Sequence, residues 1–515
     1  MTLLSSLFIY DTGKSNRMKL NTRTIKIISQ VLFFILFAII ISLSYKQSPP
    51  DWYKNLPQAL SPLSLIITLI ADKTIHPIML SSIVVIVSTI ITGRVFCGYV
   101  CPLGAIIDTA DYIFGRIRGR VGAKLPAFLY NIKYSLLIVA ITLAIIGSTI
   151  LLILDPLSLT SQLFTVILFP FFNTIGMWLV KLLLFLGVSP FSDTVVFIEK
   201  ELLFESPPVY RFTPFILIIC FILLLSIITR RGWCRYICPL GALLSLIGTR
   251  APFARQLTDD CIGCGACERL CRMGILAESG MQTRKSECIL CGECAFICAK
   301  EAVLYTARGK HKTDSTNRSK FLLTRRTLFT GLGIGFLSII PIKLIKKKDT
   351  VIRPPGTDRE RLEKLCLRCG LCIRVCPTNA LQHDILHTSL SALFTPQLVA
   401  RVGPCSFNCN LCGRVCPSGA IPKLTLKIKQ KTRMGQAEIV RATCLSWLGE
   451  TCMLCQEVCP TPTKAIITRH RRNHPEFKGI PAPEVDKDLC IGCGYCENIC
   501  PVEPPAIKVH PLEFQ

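Results

Sequence analysis

The chain has 515 residues, 50% of them hydrophobic, with 29 cysteines and a formal net charge of +26. That length calls for several domains. The positive charge comes with no basic recognition helix or aromatic platform, which excludes a nucleic-acid reader, and the tightly grouped cysteines exclude a short secreted disulfide scaffold.

Lys14, Arg17, Lys19, Arg23 and Lys26 precede the apolar run Ile27–Tyr45. The run is long enough to span a bilayer, and its basic leader belongs in the cytoplasm. No small-residue cleavage site follows it, so the run reads as an anchor. Ser61–Ala71 is too short to span and reads as interfacial or re-entrant. His76–Thr92 returns the chain to Arg94, and Arg116, Arg118, Arg120 and Lys124 hold that loop inside. Tyr134–Leu154 goes out again, and Thr213–Thr229 comes back to Arg230 and Arg231. Ser161–Gly187 is also apolar, but the surrounding Asp155–Arg211 holds few cations (Lys181, Lys200 and Arg211). If Ser161–Gly187 spanned, the two arginine ends would face opposite sides. It is expected to lie on or partly in the outer leaflet, leaving about four spanning helices.

Two of these runs end in the same pattern. R-V-F-C-G-Y-V-C-P-L-G-A covers Arg94–Ala105, and G-W-C-R-Y-I-C-P-L-G-A covers Gly232–Ala242. An echo of this kind marks a duplicated unit. Each copy sets two thiols with three residues between them, Cys97/Cys101 and Cys234/Cys238. On a helix such thiols share a face, and Pro102 or Pro239 suits the first turn of the next helix. The four thiols suit a further iron–sulfur cluster, a redox thiol site beside a quinone, or copper(I). Cys220, inside an apolar run, reads as a small buried core residue.

From Asp260 the composition turns soluble, with D-C-I-G-C-G-A-C-E-R-L-C followed by E-C-I-L-C-G-E-C-A-F-I-C. This C-x2-C-x2-C-x3-C spacing is that of iron–sulfur ligation; zinc ribbons use separated C-x2-C knuckles instead. The fourth cysteine of such a motif serves the neighbouring cluster. One cluster thus falls to Cys261, Cys264, Cys267 and Cys298, and another to Cys288, Cys291, Cys294 and Cys271. Gly263, Gly265 and Gly292 suit the tight loops. Arg272 and Ala299 stand where proline is customary.

Arg308–Lys320 reads as a basic linker. Thr324–Pro341 resembles a twin-arginine signal through Arg325 and Arg326, and Thr327–Ile342 reads as one further, uncleaved anchor. The last domain holds four more groups: Cys366/Cys369/Cys372/Cys376, Cys405/Cys409/Cys412/Cys416, Cys444/Cys452/Cys455/Cys459 and Cys490/Cys493/Cys496/Cys500. The two inner groups have a widened first gap. Each fourth cysteine is followed by proline (Pro377, Pro417, Pro460 and Pro501). His76 and His383 read as ordinary surface residues.

The C-terminal order resembles the four-cluster electron-transfer subunits of the NapG and DMSO-reductase type. The N-terminal block, with its paired C-x3-C-P motifs, resembles NapH-type membrane proteins; the whole looks like a fusion within the NapH/NapG-type ferredoxin family. The resemblance implies that outer groups pair together and inner groups pair together. Cys366, Cys369 and Cys372 would join Cys500, and Cys490, Cys493 and Cys496 would join Cys376. Cys405, Cys409 and Cys412 would join Cys459, and Cys444, Cys452 and Cys455 would join Cys416.

The expected architecture is a mainly α membrane block (1–250) and a two-cluster ferredoxin module (251–305). A linker with the anchor (306–348) and a four-cluster polyferredoxin domain (349–515) follow, both cluster-bearing parts being α+β and ferredoxin-like. By resemblance the protein is a quinol dehydrogenase component in a bacterial inner membrane. It would carry six [4Fe-4S] clusters, or seven, take quinone as its substrate couple, and pass electrons from the quinol pool to a periplasmic reductase or cytochrome. In that reading Cys97, Cys101, Cys234 and Cys238 form the quinone-side site. Haem-copper oxidase assembly factors look similar in their paired thiols, so the alternative is a maturation factor that reduces metal or thiols for a partner. A third reading keeps the C-terminal domain cytoplasmic.

Overall fold

The structure, a computed structural model, describes residues 15–44, 52–118, 126–185, 213–277, 280–307, 325–344, 351–385, 389–470 and 481–512. Lys14, Tyr45, Arg120, Lys124, residues 186–212, the segment Arg308–Lys320 read as a basic linker, and Lys346–Lys348 lie outside the described residues. The chain forms two compact units. One takes Met1–Ile40, Leu56–Thr160 and Pro214–Ile340; the other takes Ile41–Asn55, Ser161–Thr213 and Pro341–Gln515.

The apolar runs form helices, but mostly shorter ones than expected. Among the described residues two helices are long and apolar enough to cross a membrane, Thr24–Leu43 and Pro156–Leu182. Pro77–Thr92, Leu129–Ile145 and Pro214–Ile228 are apolar but shorter. The run Tyr134–Leu154 breaks because Gly147 takes a φ of +82°, and the Ser148 N–H bonds back to the Leu143 carbonyl at 2.9 Å. Glycine enters that left-handed turn without strain. The stretch expected to lie along the leaflet instead belongs to one continuous helix. It starts at Pro156, passes through a π-helical turn at Phe164–Leu168 and runs on to Phe185. Asp155 caps its start, accepting from the Ser61 hydroxyl at 2.8 Å. Ser61 itself caps the short helix Pro62–Asp72.

The helix Arg325–Leu344 carries Gly331 and Gly335 one turn apart. A Cβ built on either would stand 3.0 Å from Ile138 or Thr142 of the helix Ile132–Ile145. Small residues spaced this way let two apolar helices approach closely. Apolar side chains crowd the outer faces: Leu32, Val84 and Leu217 are all at least 60% exposed. Cys220 is exposed on that same surface of the helix Thr213–Ile228 rather than buried in a core.

The two-cluster module is small. Phe253–Leu257 pairs antiparallel with Val303–Ala307, and Leu276–Ala277 pairs with Gln282–Thr283. Two short helices, Ala266–Leu270 and Glu293–Phe296, follow its cysteine loops. The second unit uses the same devices: antiparallel pairs Leu381–His383 with Pro396–Leu398, Gly435–Ile439 with Ile507–Pro511, and Ile466–His470 with Pro481–Val485. Helices of four or five residues follow each cysteine loop. With so little regular structure, its cysteine loops themselves form much of the interior.

Candidate functional site

The two C-x3-C-P copies fold alike. Each has a five-residue helix, Val95–Tyr99 or Gly232–Tyr236, holding the first thiol. In each, a single carbonyl closes the turn. Phe96 O accepts from the Val100 and Cys101 N–H groups at 3.0 and 2.9 Å, and Trp233 O accepts from Ile237 and Cys238 at 3.0 Å each. Proline then opens the next helix, as expected, at Pro102 and Pro239. The Cys238 sulfur caps its helix, accepting from Gly241 N–H at 3.3 Å.

The copies meet and exchange arginines. Arg231, in the second copy, donates to the Cys97 carbonyl at 3.1 Å and lies beside Gly104 of the first. Arg94, in the first copy, lies reciprocally beside Gly241 of the second: a Cβ there would stand 2.6 Å from its Nη2. All four thiols are buried, and their charges act on one another. Burial first, then the Cys97 and Cys234 charges, pushes the Cys101 thiol up. Cys234 is pushed up to about 11, by burial and Cys97 against the pull of Arg231 and Arg94.

Two buried carboxylates fix the arginines. Arg231 grips Asp108 with two bonds, 2.7 Å from Nε and 2.8 Å from Nη2. Lys26 Nζ reaches the same carboxylate at 2.8 Å, and Arg272 Nη1 at 3.1 Å. Glu287 takes Arg94, Tyr134 and the Lys133 ammonium, the last at 2.6 Å. Burial alone would raise Glu287; Lys133 and Arg94 outweigh it and hold the carboxyl down at about 2.

Glu287 directly precedes Cys288, and Arg272 directly follows Cys271. Both acid–base groups therefore border one cysteine set of the two-cluster module. That set draws Cys271 in beside Cys288, Cys291 and Cys294, as the spacing predicts. Its loop lies against the first C-x3-C-P copy. A Cβ on Gly98 would stand 2.8 Å from the Ile289 carbonyl, and the Tyr99 hydroxyl donates to the Leu290 carbonyl at 3.0 Å. Gly98 is thus the residue that lets loop and thiol pair touch; its counterpart in the second copy is Arg235. Cys264 of the other set is exposed.

The second unit overturns the outer-with-outer arrangement. One cavity is lined by Cys366, Cys369, Cys372 and Cys416; a second by Cys490, Cys493, Cys496 and Cys459; a third by Cys444, Cys452, Cys455 and Cys500. Cys376 faces Cys405, Cys409 and Cys412. Sequence neighbours interlock, because each short helix carries its third cysteine into one cavity and its fourth straight on into the next. The sets then follow one another in a line. The Cys366 and Cys405 sets share Cys376 and Cys416. The Cys405 N–H donates to the Cys493 carbonyl at 2.7 Å. The Cys490 and Cys444 sets share Cys459 and Cys500, and Cys496 feels the charge of Cys455.

Local features differ along this line. Gly370 and Gly494, at φ of +75° and +86°, turn the two regular loops; Asn410 and Met453 occupy that place in the widened ones with ordinary extended φ values. A hydroxyl sits two residues after three of the fourth cysteines, with Thr461 3.2 Å from the Cys459 sulfur. Val502 breaks that pattern after Cys500.

The Cys366 set is held against the apolar helix that starts at Pro156. Gln162 Nε2 donates to the Arg368 carbonyl at 2.6 Å, and the Arg374 guanidinium lies 3.5 Å from the Phe169 ring centre. Arg368 is itself fully buried, with its guanidinium on the carbonyls of Leu393, Cys366 and Ser391 at 2.9, 3.0 and 2.6 Å. A fixed cation beside a cluster favours its reduced, more negative form. Arg368→Gln should lower the midpoint potential of that one cluster in an anaerobic redox titration. Leaving carbonyls unpaired should cost on the order of 1–3 kcal/mol in unfolding. His383 is buried and lines the same cavity, not the surface; burial lowers its pKa to about 4, so it is neutral.

The cysteines of the second unit, the four C-x3-C-P thiols, and Cys271 with Cys288, Cys291 and Cys294 each fall into sets of four. Cys267 lies beside Cys261, and among the described residues no contact fixes the partners of Cys264 and Cys298. No group of three or more His, Cys, Asp or Glu side chains among the described residues converges on a single ion. A cubane spreads its four thiolates at its corners, and three thiols on one loop with a fourth from a companion loop fit that demand. Asp108, Glu287, Arg368 and Gln162 escaped the sequence reading. Asp108 and Glu287 had one signal in common, a lone acid beside a cysteine motif in a basic neighbourhood.

Comparison with known proteins agrees. A model described as 4Fe-4S binding domain matches residues 74–120 and 212–254, the segments bearing the two C-x3-C-P copies. Further 4Fe-4S binding domain models match 258–274 and 361–382, and a 4Fe-4S dicluster domain matches 450–503. The ferredoxin-type protein NapG of Escherichia coli K12 is 40% identical over 170 residues, 32% of this chain and 71% of the relative. NapG of Haemophilus influenzae is 34% identical over 217 residues, 40% of this chain and 77% of its own. The methylamine utilization ferredoxin-type protein MauM of Methylophilus methylotrophus is 39% identical over 195 residues, 36% of this chain and 81% of its own. No solved structure matches.

Proposed function

This chain belongs to the ferredoxin-type family of NapG and MauM, and from that premise we propose that it is a membrane-bound conduit that oxidises quinol and passes the electrons to a periplasmic acceptor. Quinol gives up two electrons and two protons. Iron–sulfur clusters carry electrons singly, and the protons go to solvent. The residues of this chain bind the clusters, set their order and bring the membrane-side thiols within reach of the first of them.

The membrane assignment draws on the uncovered apolar helix faces, which water would not tolerate on this scale, and on the glycine-lined contact at Ile138 and Thr142. The sidedness draws on the basic residues that flank the thiol pairs, Arg94, Arg230 and Arg231, which favour the cytoplasmic side. In this reading the unit holding Arg94, Arg231 and the two-cluster module faces the cytoplasm, while the unit holding Pro341–Gln515 is periplasmic. The two thiol pairs meet in one interior, so the chain crosses the membrane an even number of times between them.

The observation that carries the reading is the contact of the Cys288–Cys291 loop with the Cys97/Cys101 copy at Gly98. It sets a cluster loop against the short helix that holds Cys97. In the periplasmic unit, the Cys366 set on the apolar helix is the natural entry, and the Cys444 set, at the far end of the line, the exit. Cys234→Ser tests the assignment. Quinol should no longer reduce any cluster in the detergent-solubilised protein, while dithionite still reduces the ferredoxin clusters. Unchanged quinol oxidation in that variant would overturn it.

A further inference from the structure

We propose that Arg255 and Tyr305, opposed across one strand pair, set the potentials of the two-cluster module: Arg255 is a cation shared by both clusters, and Tyr305 is a hydrogen-bond donor to one of them. The pair deepens the electron-transfer reading above and rests on it. Quinol is a mild reductant, and it fills only clusters whose potentials have been raised.

The local pattern puts both side chains on one face. Phe253–Leu257 (F-A-R-Q-L) runs antiparallel to Val303–Ala307 (V-L-Y-T-A), and Arg255 stands directly opposite Tyr305 in the register. Residues opposed in such a ladder share a side of the pair, as do those two positions away. Phe253, Leu257, Val303 and Ala307 make the rest of that face apolar. One guanidinium and one hydroxyl interrupt it, and both need polar partners.

They find them in cysteine sulfur. Arg255 is buried, and its Nη1 donates to the Thr283 hydroxyl at 2.6 Å, which holds the guanidinium in place. Nη2 then points at the Cys267 sulfur, 3.6 Å away. Gly280 leaves room for this approach; a Cβ there would collide with the same sulfur. The Tyr305 hydroxyl lies 3.0 Å from the Cys294 sulfur. A cysteine bound to iron carries no proton, so beside a cluster the tyrosine hydroxyl is the donor. Cys267 and Cys294 belong to different motifs, and each feels the Arg255 charge. The strand pair thus touches one ligand of each set. Positive charge and hydrogen bonds at sulfur both favour the reduced cluster. Neither side chain makes or breaks a bond; both act on the equilibrium.

The test is an anaerobic redox titration of the full chain in detergent, followed by paramagnetic resonance, with iron counted in every sample. Tyr305→Phe should keep its iron and lower one midpoint. Arg255→Leu should lower two, and Arg255→Lys should recover most of both shifts. Each drop should be roughly a tenfold change in the reduced-to-oxidised ratio at a fixed potential, about 59 mV for one electron. In a Cys294→Ser background Tyr305→Phe should shift nothing further and Arg255→Leu only one midpoint, which ties the changes to this module. Should Arg255→Leu lose iron, Tyr305→Phe decides alone, since it removes only a hydroxyl. Unmoved midpoints in Tyr305→Phe, or an iron-replete Arg255→Leu that shifts fewer than two, would overturn the proposal. The expected shifts in a protein that dithionite reduces and quinol does not would sink the quinol reading and leave the role of the pair standing.

Discussion

Asp108→Asn should destabilise the N-terminal unit by about 3–5 kcal/mol, the expected cost of removing one partner from a buried ion-pair network. The carboxylate answers Arg231, Lys26 and Arg272 at once. The amide keeps the shape but leaves Arg231 and Lys26 buried without a carboxylate, while Arg272 keeps Glu293. Denaturant unfolding in detergent measures the loss, and a change under about 1 kcal/mol would mean that water shields the cluster of charges after all. The pH response carries a sign. Burial would raise the Asp108 carboxyl, but Arg231, Lys26 and Arg272 outweigh it and hold it well below its ordinary value. Its stabilisation is therefore complete above the unfolded value of about 3.9 and is lost as pH falls toward the lower folded value. The asparagine variant should show no such slope below about pH 4.

Cys416→Ser and Cys500→Ser should separate neighbour pairing from outer pairing. Each should cost a cluster of about four irons or convert it to a lower-iron form. Combined with Arg368→Gln they become diagnostic. In the Cys416→Ser background the cluster beside Arg368 is already compromised, so Arg368→Gln should shift no further midpoint. In the Cys500→Ser background the shift should persist. The opposite result would restore the arrangement in which Cys366, Cys369 and Cys372 join Cys500.

Much of this molecule is written in its cysteine spacing. Cys261 through Cys298 announce two interlocked sites, and the structure draws Cys271 to Cys288, Cys291 and Cys294 as that spacing demands. The pairing of the last four groups was not legible, because spacing within a motif says nothing about which loop lies beside it. That is set by the strand pairs, Gly435–Ile439 with Ile507–Pro511 above all, and their registers are long-range. The apolar runs were visible, but their ends were not. Tyr134–Leu154 looks continuous until Gly147 takes a left-handed turn. Ser161–Gly187 looked like a surface stretch because its flanks lack cations, yet its helix begins earlier, at the Asp155 cap. Hydropathy also misled for single residues. Cys220 looked like core and is exposed on the helix Thr213–Ile228. His383 is inside because it lines a cysteine cavity. Asp108 and Glu287 were hidden for a plainer reason: a lone acid has no pattern until its partners are seen.

The arginine exchange bears on ancestry. Neither half of the duplicated block can finish its own thiol chamber, since each lacks the guanidinium that the other supplies. A half-length forebear would have needed a second copy of itself to complete the chamber. Split between Gly147 and Pro214 and co-expressed, the two fragments should still find each other, while either one alone should not persist.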